Sequence, residues 1–377
     1  MSRLRFLNGT ILTPDGPAET LDVADGRIVA PSEQPTGEIV DLAGGWLLPG
    51  FIDTQVNGGG GVLFNDSPDV DTIRRIGDAH RQFGTTAFLP TFISDDLDRV
   101  DRAMRAVEDA IACGVPGVIG IHIEGPFLAT ARKGTHDASK FRRIDAESLR
   151  LLTSLKHGRT LVTLAPETCR ASDIRALSDA GVIVAAGHSD ADYQTMQGAF
   201  AAGVTGITHL FNAMSPLNHR APGVVGAVLE NKDVYAGLIV DGRHVDPAVL
   251  RIALSARPRD RFLLVTDAMP TVGSAAATFA LQGKTIRVED GVCVDEAGIL
   301  SGSNLDMAAA VRNAVRMTGV SVAEAAVMAA ASPAAFLGLR DRGTIAIGTR
   351  ADLVWMDRDL QVRGVWVGSD CHDPADV

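Results

Sequence analysis

Four short apolar runs in this chain each end in a side chain able to bind or activate a metal: Glu124 in His-Ile-Glu-Gly-Pro-Phe, His188, His209, and Asp267 in Val-Thr-Asp-Ala-Met. Two imidazoles and one carboxylate with an open position suit a catalytic divalent cation, Zn2+ first and Fe2+, Co2+ or Mn2+ after it. An open position implies water. Asp267 then reads as the base beside that water, because a metal-activated water still needs a proton acceptor that can later become a donor. A fourth ligand and a helix cap for the segment after Pro270 are its other readings. Glu124 is the hardest of the four to explain otherwise, since a carboxylate closing an apolar run is costly to bury without a partner. An ion pair with a barrel arginine is the alternative. His122 lies two residues earlier on the same side of a strand, and reads as a core residue behind the site rather than as a ligand.

These residues need elements that bring them together. The runs Gly117 to Ile123, Gly181 to Ala186, Val204 to Thr208 and Phe262 to Thr266 are short and rich in Val and Ile, as buried parallel strands are. Eight such runs alternate with helical stretches: Trp46 to Asp53, Gly84 to Phe92, Gly117 to Glu124, Thr160 to Glu167, Gly181 to His188, Val204 to His209, Val234 to Asp241 and Phe262 to Asp267. Helices are expected at Asp69 to Phe83, Leu97 to Cys113, Ala146 to His157, Ala191 to Ala202 and Pro247 to Ala256, several with Ser or Asp near the start as a cap. Eight βα units imply a closed (β/α)8 barrel, whose functional residues collect at the C-terminal ends of the strands. Ala280 to Leu300 reads as a polar hairpin-like insertion, followed by closing helices at Leu305 to Met317 and Val322 to Leu337. Leu4 to Leu12, Leu21 to Ala24, Arg27 to Val29, Glu38 to Leu42, Leu353 to Asp357 and Val362 to Val367 are short strand-like pieces, expected to pair into one small β-sandwich built from both termini. The division expected is 1–48 and 339–377 for that module and 49–338 for the barrel.

The bounds agree with this plan. A chain of 377 residues, 46% hydrophobic, has room for a barrel of about 250 residues plus an appendage. A net charge of -11 argues against a nucleic-acid or anionic-membrane surface, so any anionic ligand must be held by local groups. Cys113, Cys169, Cys293 and Cys371 are scattered without a C-x-x-C pair, as free thiols of a reducing compartment are, and a cytoplasmic location is expected. Met1 to Leu12 lacks the apolar stretch of a signal peptide, and Ala325 to Leu337 is too short to span a bilayer.

Gly343-Thr-Ile-Ala-Ile-Gly-Thr-Arg-Ala-Asp-Leu-Val-Trp resembles the C-terminal return segment of the amidohydrolase superfamily. Taken together, His122-Ile-Glu-Gly-Pro-Phe, Gly187-His-Ser-Asp-Ala, Thr208-His-Leu-Phe-Asn-Ala-Met, Asp241-Gly-Arg-His-Val and Val265-Thr-Asp-Ala-Met are similar to the N-acetylglucosamine-6-phosphate deacetylases of that superfamily, nearly end to end. The resemblance implies metal ligation by Glu124, His188 and His209 and acid/base work by Asp267. It implies substrate contacts at Thr135 and His136, at Asn212 and Ala213, at Arg220, at Asp241, Gly242, Arg243 and His244, and at Leu300, Ser301, Gly302 and Ser303. Arg220 offers a planar fork for phosphate oxygens, although read alone it would be a solvated surface charge. One departure stands out. Where the superfamily commonly has His-x-His after its first strand, this chain has Gln55-Val56-Asn57, and amides are poor ligands beside imidazole, so one metal per subunit is expected. Neither Lys133 nor Lys140 lies at the fourth strand end, so a carbamylated-lysine bridge has no candidate there.

The implied activity is hydrolysis of the acetamide of N-acetyl-D-glucosamine 6-phosphate to glucosamine 6-phosphate and acetate, in amino-sugar catabolism and cell-wall recycling, by a homodimer. Two rivals are an amidohydrolase acting on a related acetamido sugar phosphate or a cyclic amide, and a non-catalytic barrel scaffold. The first need not keep Arg220, His136 and Asn212 together. The second would be expected to have lost ligands or the acid/base.

Overall fold

Eight parallel strands pair strictly in chain order, Phe51–Val56, Thr85–Ile93, Gly120–Glu124, Arg159–Leu164, Ile183–Ala186, Val204–Ile207, Tyr235–Leu238 and Phe262–Leu264, so that each lies beside the next. The computed structural model describes residues 3–32, 37–289, 291–368 and 370–372. The remaining residues, 1–2, 33–36, 290, 369 and 373–377, fall within the terminal module and the insertion expected from the sequence and lie outside the described residues.

Each strand is buried almost throughout, which is why the runs lack the alternation of a half-exposed sheet. Helices cover the outside and start where the sequence supplies a cap. Asp69 accepts from Thr72 N ahead of Val70–Arg81, Asp192 accepts from Thr195 N ahead of Tyr193–Ala202, and Asp246 accepts from Ala248 N ahead of Pro247–Ala256. Caps of this kind contribute about 1 kcal/mol each. The expected helix from Ala146 to His157 stops at Leu152, where Thr153 leaves helical geometry. The helices Ala171–Asp179 and Gly223–Glu230 complete the ring.

The run from Trp46 to Asp53 is two strands rather than one. Trp46–Pro49 pairs antiparallel with Leu353–Met356 in a six-stranded sheet of the terminal module, and only after Gly50 does Phe51–Val56 enter the barrel. That sheet uses the period-two alternation of strands on both faces. Leu47, Leu353 and Trp366 join Phe6, Val23 and Ile28 in a separate small core, whereas Leu48, Val354 and Val365 pack on the barrel core. The second sheet of the module has four strands, with Arg3–Leu7 between Leu21–Ala24 and Glu38–Asp41. The Ala280 to Leu300 insertion is a four-stranded antiparallel sheet, Thr278–Leu281, Lys284–Glu289, Val292–Val294 and Leu300–Ser303, broader than a hairpin. Its buried Leu281, Ile286 and Cys293 pack with Met269 and Ile93 beside the barrel mouth. Among the described residues no helix is long and apolar enough to cross a membrane.

Candidate active site

Glu124 ends its strand in the ladder, but His188, His209 and Asp267 each follow a strand by two or three residues with left-handed φ values of 47°, 30° and 52°. Such conformations cost non-glycine residues energy and persist where surrounding bonds impose them. Here they turn the chain out of the sheet so that the side chains converge on the barrel mouth. Glu124 Oε1 lies 3.1 Å from His188 Nε2 and 3.1 Å from His209 Nε2, and the two nitrogens are 3.1 Å apart. All three residues are buried, and among the described residues they form the one group of His, Cys, Asp or Glu side chains that could hold a metal ion.

The donor chemistry fits a divalent cation. His188 Nδ1 lies 2.9 Å from the carbonyl of Arg132, an acceptor only, so the neutral ring carries its proton there and directs the Nε2 lone pair at Glu124. A lone pair facing a carboxylate oxygen and a second imidazole nitrogen is repulsive until a cation sits between them. Burial pushes Glu124 up, but its hydrogen bonds with His188 and His209 outweigh this and hold the carboxyl well below its usual range. Burial likewise pushes His209 down, and the Glu124 hydrogen bond and charge reverse this and raise it.

Asp267 stands beside this group. Burial, then the charge of Glu124, pushes it up to about 6. The two amides of the Gln-x-Asn segment reach it: Gln55 Nε2 lies 3.1 Å and Asn57 Nδ2 2.6 Å from the same oxygen, Oδ1, and Gln55 Nε2 also lies 3.3 Å and 3.2 Å from the two oxygens of Glu124. Neutral N–H donors thus separate the buried Glu124 carboxylate from the half-buried carboxylate of Asp267. The Asp267 segment is followed by no helix, so a capping role has no support.

These residues face a cavity of about 370 Å³ that Asn57, Thr135, His136, Asn212, Ala213, His244, Leu300 and Gly302 also line. His136 Nδ1 is 2.8 Å from the Ser94 hydroxyl, and burial drives its pKa down to about 3, so the ring is neutral. His244 is held by Asp241, whose Oδ2 is 2.6 Å from Nδ1 while Oδ1 accepts the amides of Arg243 and His244; Asp241, Gly242 and Arg243 therefore shape the turn rather than the wall. Gly302 has a φ of 66°, and a Cβ there would stand 2.3 Å from Met269. Ser301 and Ser303 are fully buried, and Ser303 Oγ donates to the Thr266 carbonyl at 2.5 Å.

Besides Asp241, Gly242, Arg243, Ser301 and Ser303, Arg220 is an expected contact that does not line this cavity. It lines a neighbouring surface groove of about 700 Å³, because the Met214 to Pro222 loop runs outward, and only Arg132 lines both cavities. Sequence reasoning missed Arg132, whose Nε is 2.8 Å from Asp190 Oδ1, and the walls Ile93, Ile239, Met269 and Ile299. The basic cluster from Arg132 to Arg143 was the available signal. His122 is a barrel-interior residue, with Nε2 2.7 Å from Thr163 Oγ1 and Nδ1 3.3 Å from Thr91 Oγ1.

Fold and site together define a barrel hydrolase built around a cluster suited to a divalent cation. The sequence profile of the Amidohydrolase family matches residues 46–371. An N-acetylgalactosamine-6-phosphate deacetylase of Shewanella sp. (strain ANA-3) is 44% identical over 330 residues, 87% of this chain and 84% of that protein. The crystal structure of N-acetylglucosamine-6-phosphate deacetylase from Pasteurella multocida superposes with a TM-score of 0.95 at 35% identity, covering 98% of this chain and 100% of that one. A mutant of the Mycobacterium smegmatis deacetylase, in complex with N-acetyl-D-glucosamine-6-phosphate, gives 0.91 at 32% identity, covering 98% and 99%. The chain belongs to the Amidohydrolase family, in the branch whose members are named N-acetylglucosamine-6-phosphate and N-acetylgalactosamine-6-phosphate deacetylases.

Proposed function

We propose that this protein hydrolyses the acetamide of N-acetyl-D-glucosamine 6-phosphate to D-glucosamine 6-phosphate and acetate in amino-sugar metabolism. The observation that carries the reading is the meeting, in one cavity, of the Glu124, His188 and His209 cluster with an acid/base candidate, Asp267, bridged to it by the Gln55 amide. A divalent cation on those three residues, zinc by preference and one per subunit, would polarise the acetyl carbonyl and acidify water beside it. The chain's own groups do the rest. Both amide bonds fall on Asp267 Oδ1, which leaves Oδ2 to take a proton from the attacking water. A carboxyl at about 6 is ionised at neutral pH yet acidic enough to return that proton to the amine as the C–N bond breaks. Neutral His136, in the tautomer whose Nδ1 accepts the Ser94 hydroxyl, would present Nε2–H to the acetyl oxygen.

Arg132, Asn212, Ala213 and His244 are the proposed contacts for phosphate and sugar, with Thr135, Leu300 and Gly302 as walls. Arg220 is proposed to act from the adjoining groove. A homodimer and a cytoplasmic location complete the reading, the latter supported by four cysteines scattered without a C-x-x-C pair, and the division into 1–48, 49–338 and 339–377 by the separate terminal core. The galactosamine epimer is the second substrate to weigh, because the Shewanella relative is named for it. Acetate release across the 6-phosphates of N-acetylglucosamine, N-acetylgalactosamine and N-acetylmannosamine, and the unphosphorylated sugars, tests the reading. Highest kcat/KM on the glucosamine phosphate is expected, and indifference to the phosphate would refute it.

A further inference from the structure

The barrel ladder has a seam. From the first strand to the eighth every neighbour is hydrogen-bonded in a ladder, but among the described residues the eighth meets the first only past its end, around the bridge of Val56 and Ala268, where Asp267 N donates to the Gln55 carbonyl at 3.0 Å and Asn57 N and Gly58 N donate to the Ala268 carbonyl at 3.0 Å. Side chains close the seam before that point. Asp53, fully buried in the first strand, accepts the Thr266 hydroxyl on Oδ2 at 2.5 Å, and on Oδ1 the amides of Gln55 at 3.1 Å and Thr266 at 3.4 Å. The Thr266 hydroxyl oxygen accepts Ala268 N at 3.2 Å, and the Thr266 carbonyl accepts Ser303 Oγ at 2.5 Å. Thr266 is therefore held at its amide, its hydroxyl and its carbonyl, immediately before a residue with a φ of 52°. A carboxylate is an expensive way to close an apolar seam, since Thr or Ser pairs would do so without burying charge. What it supplies is two acceptor oxygens of defined direction, one for the Thr266 hydroxyl and one for the amides of Gln55 and Thr266, even though burial pushes its own pKa up to about 7.

We propose that Asp53, acting through the Thr266 hydroxyl, is a positioning residue that holds the Asp267 backbone in its left-handed turn and so aims the Asp267 carboxyl at the Glu124, His188 and His209 cluster. The inference rests on reading Asp267 as the acid/base. Asp53 touches neither cavity nor cluster and takes no part in proton transfer; it acts on the geometry of the group that does. The pin predicts an effect on turnover rather than on binding, because a reacting group displaced by about 1 Å costs up to about 100-fold in rate.

The test is Thr266→Val, which keeps the shape and removes the hydroxyl, against Thr266→Ser, which keeps the hydroxyl. Metal-loaded Thr266→Val should lose roughly 10- to 100-fold in kcat on N-acetylglucosamine 6-phosphate with KM and metal content unchanged, and Thr266→Ser should return turnover to near wild type. Should Thr266→Val not yield folded protein, Asp53→Leu is read the same way, since it offers the hydroxyl no acceptor. Wild-type kcat in Thr266→Val, or equal losses in the Val and Ser variants, overturns the proposal. So does a crystal structure of Thr266→Val in which Asp267 keeps its backbone and rotamer, and that result does not depend on activity. Asp267→Asn, assayed alongside, separates the two claims. If it turns over like wild type, the acid/base reading fails and this inference with it; if it is inactive while Thr266→Val is unimpaired, only the pin fails.

Discussion

Replacing Asn57 with Leu probes how the Gln-x-Asn segment serves a site where related barrels use imidazoles. Asn57 Nδ2 is 2.6 Å from Asp267 Oδ1, closer than the Gln55 amide at 3.1 Å, so Leu removes the shorter of two donors to a half-buried carboxylate while keeping a branched side chain of the same heavy-atom shape. Hydrogen bonds to charged groups are worth about 1.5 to 3 kcal/mol, which is about 1 to 2 pKa units on the group that accepts them. The direction follows from the chemistry. Asn57 stabilises the ionised form, so its loss raises an Asp267 already lifted to about 6 by burial and by Glu124, with His209 and His244 facing it and pulling the other way. A general base works ionised, and its contribution disappears as the pH falls through its pKa. The acid limb of kcat/KM should therefore move upward by about 1 to 2 units in Asn57→Leu, with the alkaline plateau approaching wild type. Both enzymes are compared with the same metal loaded, by acetate release across about pH 5 to 9. An acid limb that stays in place while the plateau drops would refute the reasoning, and would make Asn57 a substrate contact.

Asp267→Asn should retain its metal yet lose roughly 10³- to 10⁴-fold in kcat, because one residue serves as acceptor and then donor; loss of metal on elemental analysis would make Asp267 a ligand instead. Arg132→Ala should cut kcat/KM for the 6-phosphate about 10- to 100-fold with little change on the unphosphorylated sugar, and should do so more than Arg220→Ala, since Arg132 lines the cleft and Arg220 the groove beside it. The reverse ranking would move the phosphate to the groove. Buried His80, pushed down to about 4 by desolvation, stays neutral in the fold while the unfolded chain protonates near 6.5. Its contribution is present above about 6.5 and is lost as the pH falls towards about 4, by up to about 3 kcal/mol. Thermal unfolding followed between those values should therefore fall less steeply in His80→Gln than in wild type, and parallel slopes would contradict this.

The barrel was legible because its strands are buried on both faces and its helices carry caps, so runs of Val and Ile alternate with Asp-led amphipathic stretches. The ends of those runs were not legible. Apolar residues continue past Leu164, Leu238 and Leu264, where the chain has already left the ladder, and hydropathy does not register a change of φ. For the same reason the run through Gly50 hid a change of sheet. Glu124, His188, His209 and Asp267 announced themselves by chemical type at strand ends, and they do converge. Asp53 did not, because a lone acid within an apolar run gives no sign of the Thr266 hydroxyl and amides, more than two hundred positions along the chain, that satisfy it. Arg220 and Arg132 illustrate a different limit: residue type suggests a phosphate contact, whereas only loop direction decides which cavity a guanidinium enters.

Titration of metal back into stripped enzyme tests the central claim most directly. Protein freed of metal by a chelator and dialysed is loaded stepwise with zinc, and acetate release from N-acetylglucosamine 6-phosphate is measured at each step beside the bound metal. Activity should rise in proportion to metal and level off at about one equivalent per subunit, the capacity of a single Glu-His-His site, and Glu124→Gln should neither bind that equivalent nor gain activity. Full turnover in the stripped enzyme, or a plateau that requires two equivalents per subunit, would contradict a one-metal deacetylase centred on Glu124, His188 and His209.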